Sequence, residues 1–526
     1  MVAGHGDHCS SSPSDAHADD VVAVRGAGSI FLLQTVGRLA SFGFVLVVTR
    51  ALAADQFGRY SLAAAVVLMA TTIFDLGITP TITQSVSRRP WRSEGLLAAT
   101  LAGSGVLGLL GFLAVMGFAL VAPYTDDTLT DFAIAGLAIP ASAMSSSVLA
   151  ALDGHRLMAQ RAAITLVQTA IVTVGGILFV VSGAGVRGAL WAVAAGPWVA
   201  LAMGRRTARR HHVWSGRLTP SPRETMALLR LALPLAIASG LGVLVLRLDI
   251  VLLSLLAGPS ATATYDVARR LTESVGYVSS AVTVPALVIL SSRLGGSGRR
   301  GAEKVFTEAT RLVTLVGLPL SVALALGAGP IIRVAFGEQF TDAKAPVAIL
   351  GAGLWIMFVT QVQTVVFVAG RRLREAIALA ALNLGVVILL DVVLIDRFGP
   401  AGAALALTSS SVVVAVAGNR IIRQTFGFTT PVPSPRVLLS ALGMGIAVVV
   451  LNDPAGLVAL PVGAAVYVLG LFVTGVLDRA QCDRLWSLLR GRSKLESRQP
   501  QAWDPGATVV PSSLDTPTSV GARRDE

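Results

Sequence analysis

The sequence predicts an all-α, polytopic membrane protein of about fourteen transmembrane helices, and three observations predict it. Of its 526 residues, 54% are hydrophobic and only 14% are charged, with a mean hydropathy of +0.72. That balance belongs to a chain solvated by lipid. The apolar residues gather into runs long enough, at ~1.5 Å per residue, to cross a hydrocarbon core ~30 Å thick. Between the runs, arginine-rich loops alternate with arginine-poor ones.

Residues 1–24 are polar and read as a disordered cytoplasmic tail, so the first apolar run is itself a span and no cleavable signal peptide is evident. His5, His8 and Cys9 lie in that tail without a folded frame to hold a metal, and Cys9 and Cys482 are too few for a disulfide framework. Apolar runs then fall near 28–53, 58–80, 96–122, 130–152, 162–182 and 187–203. After a basic stretch they resume near 231–256, 262–290, 305–328, 345–369, 375–395, 400–418, 437–451 and 456–477.

Loop charges give the orientation. Even-numbered loops carry Arg88, Arg89 and Arg92, then Arg156 and Arg161, then the arginines of Gly204–Arg230. They continue with Arg293, Arg299, Arg300 and Lys304, with Arg371, Arg372 and Arg374, and with Arg420, Arg423 and Arg436. Odd-numbered loops are poorer, and the third offers Asp126 and Asp127 instead. The positive-inside rule then places both termini in the cytoplasm. The formal charge of +12 is spread over alternate loops, which excludes a single nucleic-acid-binding face.

The expected organisation is a six-helix lobe over 25–204, a cytoplasmic linker over 205–230 and a second six-helix lobe over 231–425. A transmembrane hairpin follows over 436–477, then a cytoplasmic, mostly disordered tail over 478–526, in which Arg479–Arg490 reads either as an amphipathic segment on the inner leaflet or as a solvated helix end. Tyr60 and Pro80 recur as Tyr265 and Pro285 at an offset of 205, and Gly185–Ala189 recurs as Gly399–Ala403 at an offset of 214. Two halves of even span number share one orientation, related by a pseudo-two-fold along the membrane normal.

Charge inside the spans is the functional signal. Arg247 and Asp249 lie in the seventh run; Arg269, Arg270 and Glu273 lie in the eighth, after the break Ala257-Gly258-Pro259-Ser260. Tyr265, Arg269, Glu273 and Tyr277 recur at i, i+4 and share one helix face. An arginine at a helix centre costs ~3 kcal/mol on insertion scales, so the stripe is expected to face a wet cavity. Competing structural readings are an internal Arg269–Glu273 ion pair and Arg247 snorkelling to the interface. Gln34, Arg38 and Ser41 form a further polar stripe on the first run, and Asp75 lies on the second. Runs 1, 2, 7 and 8 are thus expected to line a central cavity, tipped positive by its arginines and suited to a diphosphate or acidic sugar. Arg38, Arg247, Arg269, Arg270, Tyr265 and Gln34 are the candidate substrate-binding residues. Asp249, Asp75, Glu273 and Asp391 are the candidates for ion coupling, although Asp249 and Asp391 have the alternative of pairing locally. Gln361, Gln363 and Asn383 suit interhelical hydrogen bonds better than substrate contacts. No enzyme motif and no metal or cofactor site emerges.

Thr49–Tyr60, Phe74-Asp75-Leu76-Gly77, Tyr265–Leu271, Phe336–Phe340 with Ala343, and Phe398–Ala406 after Asn383 carry a resemblance. In that order the chain resembles the polysaccharide transporter (O-antigen-type flippase) family of the multidrug/oligosaccharidyl-lipid/polysaccharide flippase superfamily. The resemblance implies alternating access of two six-helix lobes around a cationic cavity, with a polyprenyl-diphosphate-linked oligosaccharide carried from the cytoplasmic to the outer leaflet. It implies membrane lipid and a lipid-linked glycan as partners, with polysaccharide polymerase machinery a further partner to consider; the carboxylates within the spans make H+ or Na+ the candidate coupling ions. Fourteen spans are shared with the lipid II flippase branch, so a lipid II-type flippase stays open, as does a multidrug/cation antiporter of the same fold. The antiporter would favour an acidic or apolar cavity, and a scaffold without transport would need no buried charge.

Overall fold

A computed structural model describes residues 37, 40–75, 78–88, 93–214, 222–295 and 299–476. Gln34, Arg38 and both expected tails, with Cys9, Cys482 and the 479–490 amphipathic segment, lie outside the described residues. The described chain is helical, with no strand. The helices are α1 (Ala40–Ala51), α2 (Ala54–Asp75), α3 (Ile78–Arg88), α4 (Ser93–Val121), α5 (Asp126–Gly136), α6 (Ala138–Gly154) and α7 (Met158–Ala170). Next come α8 (Gly176–Phe179), α9 (Gly185–Arg210), α10 (Pro222–Gly276), α11 (Ser280–Gly295), α12 (Arg299–Leu326) and α13 (Ala328–Ala335). The last are α14 (Lys344–Ala369), α15 (Leu373–Phe398), α16 (Pro400–Thr425), α17 (Pro435–Ala455) and α18 (Ala459–Val473).

Helix is the expected answer to a lipid solvent, because it satisfies every backbone group within the segment. Among the described residues ten helical stretches are long and apolar enough to cross a bilayer, and the chain is a multi-pass membrane protein. Two of these stretches, Met158–Arg210 and Gly240–Leu294, run to 53 and 55 residues, about twice a crossing. Each folds back on itself. Gly183 (φ 89°) and Gly185 (φ 60°) turn the first, so that α9 packs against α7. Gly258 (φ 84°) turns the second, at the break that Gly258-Pro259 marks in the sequence.

Two of the helical stretches are interrupted. α2 gives way to α3, which carries the run on to Arg88, beyond the expected end near 80. The second arm of α10 passes through a 3-10 turn at Tyr277–Ser279 before α11. The connection after α12 is folded into α13 and a 3-10 turn over Glu338–Ala343.

The largest buried cluster joins α1, α2 and α10 to α12, α14 and α16, with Phe57, Tyr265, Phe306, Phe358 and Phe367 almost wholly enclosed. Small residues let these helices approach. An added Cβ on Gly58 of α2 would lie 1.9 Å from the Pro259 carbonyl oxygen of α10. α17 packs against α12, and the Tyr467 hydroxyl of α18 donates to the Leu315 carbonyl at 2.9 Å. Residues from Leu471 onward form a second compact unit, of which the end of α18 and the turn to Val476 are described.

Candidate functional site

Because α10 folds back at Gly258, residues twenty apart in sequence meet. On a straight helix Asp249 and Arg269 would be ~30 Å apart; here the Arg269 Nη1 lies 2.8 Å from Asp249 Oδ2. Around that pair the two arms exchange a network. Arg269 also donates through Nε to Glu273 Oε1 at 3.1 Å and through Nη2 to the Leu246 carbonyl at 2.8 Å. Asp249 accepts from the Tyr265 hydroxyl at 2.5 Å and from the Ile250 backbone N–H at 2.9 Å. Arg247 Nη2 reaches Glu273 Oε2 at 3.1 Å. Beside this network, Arg270 Nε donates to Asp266 Oδ2 at 2.5 Å, and Ser61 of α2 donates to the same oxygen.

These residues divide by burial. Arg269 and Asp249 are 3% and 0% exposed, and Tyr265 is fully enclosed. Arg247, Arg270 and Glu273 keep 17%, 25% and 27% of their side chains open. Only this second group faces space. A cavity of about 890 Å3 is bounded by Ser41, Phe42 and Val45 of α1 and by Thr83 and Ser87 of α3. Asp153, Arg156 and Arg161 near the α6–α7 turn and Arg247, Arg270, Glu273 and Tyr277 around α10 complete it. Four arginines against two carboxylates leave the lining at +2. Arg161 is held by Asp153 at 2.5 Å; Arg156 has no partner among the described residues. Arg270 and Arg247 each spend one N–H group on a carboxylate, which leaves the rest of each guanidinium fork for an oxyanion.

Beyond the Ser61–Asp266 contact, α1 and the start of α2 are tied to the segment from Val334 to Phe340. Arg50 Nη2 donates to the Val334 carbonyl at 2.5 Å and Nε to the Ala335 carbonyl at 3.3 Å. The Gln339 amide donates to the Thr49 carbonyl and to that of Leu52, the latter at 3.4 Å. Phe57 meets Phe340 edge-on at 6.0 Å and Phe42 meets Phe336 at 6.5 Å. Arg59 of α2 bonds separately to α5, to Asp131 at 2.8 Å and Asp127 at 3.0 Å.

The candidate residues thus separate. Arg247, Arg270 and Glu273 meet at the cavity; Arg269, Tyr265 and Asp249 form the buried support behind it. Asp75 stands apart at the end of α2, accepting from Thr79 at 2.9 Å. Asp391 of α15 is fully buried, within electrostatic range of Asp249 and Arg269, and neither of its carboxylate oxygens has a hydrogen-bond partner among the described residues. Ser279 donates to Gln361, and Gln363 donates to the Ala415 carbonyl at 3.1 Å and to Thr430 at 3.0 Å. Sequence reasoning missed Ser61 and Asp266, although the offset of 205 relates the two, and it read Arg156 and Arg161 as loop charges alone.

A family model described as a polysaccharide biosynthesis protein matches residues 23–290, just over half of the chain. The chain belongs to the polysaccharide biosynthesis protein family. No individually curated protein matches it in sequence. Its fold is shared with solved membrane transporters. A lipid II flippase, MurJ, in an inward closed conformation superposes with a TM-score of 0.71 at 12% identity, over 85% of this chain and 97% of that one. An inward-facing multidrug resistance MATE family transporter of the MOP superfamily gives 0.60 at 14%, over 74% and 98%. A MOP superfamily transporter from Pyrococcus furiosus gives 0.53 at 13%, over 76% and 93%. The fold class expected from the sequence, all-α with many membrane-spanning helices, is the fold of this family member.

Proposed function

We propose that this polysaccharide biosynthesis protein is a flippase, carrying a polyprenyl-diphosphate-linked oligosaccharide from the cytoplasmic to the outer leaflet by alternating access. One observation carries the reading: a cavity with a lining balance of +2 opens beside Arg156 and Arg161. By the positive-inside rule that mouth faces the cytoplasm; with the ties from α1 and α2 to the Val334–Phe340 segment closing its far end, the molecule is poised to load. The free guanidinium edges of Arg247 and Arg270 suit a diphosphate, and the unpaired Arg156 at the mouth suits its capture from the leaflet.

The topology proposed with it has fourteen crossings, two six-helix lobes and cytoplasmic termini. Ten apolar stretches, two of them of double length, and the shorter apolar helices Ala40–Ala51 and Pro435–Leu451 support that number. Asp391 is the proposed coupling residue, because a buried carboxylate without a partner among the described residues is costly unless a proton or cation joins it. Asp249, by contrast, is already saturated. A lipid II-type substrate is the second reading, favoured by a match to the lipid II flippase fold that spans 85% of the chain.

The test is flipping in reconstituted vesicles of a fluorescent polyprenyl-diphosphate oligosaccharide against the same lipid with a neutral linkage. The diphosphate should be required, and Arg247→Ala should abolish its movement. Equal rates for both lipids would overturn the flippase reading. Faster movement of lipid II than of the oligosaccharide would select the second reading.

A further inference from the structure

A second cavity, of about 800 Å3, shares no lining residue with the central one. Arg293 at the end of α11, Arg299 at the start of α12, and Arg371 and Arg372 between α14 and α15 converge on it, with Phe426 and Phe428 in its wall. Arg372 reaches Glu375 at 3.4 Å. Arg293, Arg299 and Arg371 have no carboxylate partner among the described residues.

Orientation in the membrane explains why arginines populate these loops, but it requires no convergence. Here the convergence is held by the backbone. Arg371 takes a φ of 56°, a left-handed conformation that side-chain-bearing residues avoid. The Arg299 guanidinium lies over Gly427 (φ 71°), where an added Cβ would come within 1.5 Å of its Nη2. A concavity walled by guanidinium groups, three of them without counter-ions, fits the oxygens of a phosphate. Its surroundings favour one source of that phosphate. Val284 and Val288 of α11, 62% and 68% exposed, form an apolar strip leading to Ser291 and Arg293 at the pocket. A soluble phosphate has no use for the strip, whereas acyl chains cover it.

We propose that this pocket is a headgroup site for an anionic phospholipid of the cytoplasmic leaflet, with its phosphate held by the four arginines and its chains along Val284 and Val288. The placement in that leaflet rests on the topology proposed above; the binding test below does not. The site is separate from the transport path, so its lipid is a bound partner and not the cargo.

The experiment is native mass spectrometry of the full chain in neutral detergent with phosphatidylglycerol, with phosphatidylcholine or with inorganic phosphate. Phosphatidylglycerol should be retained and phosphatidylcholine lost, and the Arg371→Gln, Arg372→Gln variant should weaken retention by about tenfold or more. Arg371→Gly is the folding control: glycine accepts the left-handed backbone, so this variant keeps its fold and should still lose affinity. Arg247→Gln, in the central cavity, should retain the lipid as the unmodified chain does. Equal retention of the two lipids, or retention unchanged in both Arg371 variants, overturns the proposal. Inorganic phosphate that displaces phosphatidylglycerol at equal concentration overturns the lipid assignment in favour of a free anion.

Discussion

Truncating Arg269 to alanine removes four side-chain bonds from a site with almost no exposure, and leaves Asp249 enclosed without its cation. Breaking a buried ion pair from one side costs about 3–5 kcal/mol, because the partner charge stays behind. Set against a typical net stability of about 5–15 kcal/mol, that is a large share. Arg247→Ala removes a single 3.1 Å contact between partners 17% and 27% exposed, worth no more than about 1 kcal/mol. The two variants should therefore fail differently. Thermal unfolding by fluorescence-detected gel filtration should show Arg269→Ala far less stable and poorly recovered, with Arg247→Ala close to the unmodified protein. Export measured in cells lacking the native gene should be lost in both, in Arg247→Ala without loss of protein. If the two variants melt together, or if Arg247→Ala exports normally, the division between support and cavity is wrong.

Gly58→Ala should loosen the closed end of the passage, since its Cβ would overlap the Pro259 carbonyl. Overpacking of about 1–3 kcal/mol shifts the population of open molecules by about tenfold. Maleimide labelling of a cysteine placed at Gln339 should rise, and unchanged labelling would show that α2 and α10 do not form the seal. Asp391→Asn keeps the shape of the side chain and removes its charge, so flipping in vesicles should lose its dependence on the proton or sodium gradient. Gradient dependence that survives the substitution rules Asp391 out as the coupling group.

Much of the fold was legible because its signals are local. Gly258 followed by Pro259 cannot continue a helix without a break, and the break lies where the sequence puts it. The site was legible in content but not in arrangement. Spacing of i, i+4 correctly groups Tyr265, Arg269, Glu273 and Tyr277 on one face, yet periodicity does not say what the face meets. The first arm of α10 covers half of that face, so Tyr265 and Arg269 are buried against Asp249, while Glu273 and Tyr277 reach the cavity. Arg156 and Arg161 carried a topological signal only. Their place on the lining depends on packing between α6, α7 and α10 that no local pattern encodes.

The offset of 205 extends beyond Tyr60 and Pro80. It pairs Ser61 with Asp266, and those two residues bond to each other, as residues do where two related halves meet at their axis. It also pairs Phe44 with Asp249 and Tyr60 with Tyr265. In the first half Phe44 and Tyr60 are in ring contact at 6.0 Å; in the second Asp249 accepts from Tyr265. Phe42, facing the cavity, corresponds to Arg247, which also faces it, and Ala64 corresponds to Arg269. One contact pattern is thus built twice, in apolar groups and then in charged ones, and both copies present a side chain, Phe42 and Arg247, to the cavity. If the charged copy is a support, an apolar cluster should replace it. Phenylalanine itself would not suit position 249, because Phe44 finds room only against Gly176, where an added Cβ would lie 2.6 Å from its ring. The transplant is Asp249→Leu, Tyr265→Phe and Arg269→Met together, leaving the Arg247–Glu273 pair intact. Apolar replacement of a whole buried ion cluster is neutral or stabilising by about 1–4 kcal/mol, so the triple variant should melt well above Arg269→Ala. It should also still bind the lipid-linked glycan, measured by retention on native mass spectrometry. A triple variant no more stable than Arg269→Ala would break the equivalence of the two halves at this site. One that folds but no longer binds would place Arg269 in the substrate's path.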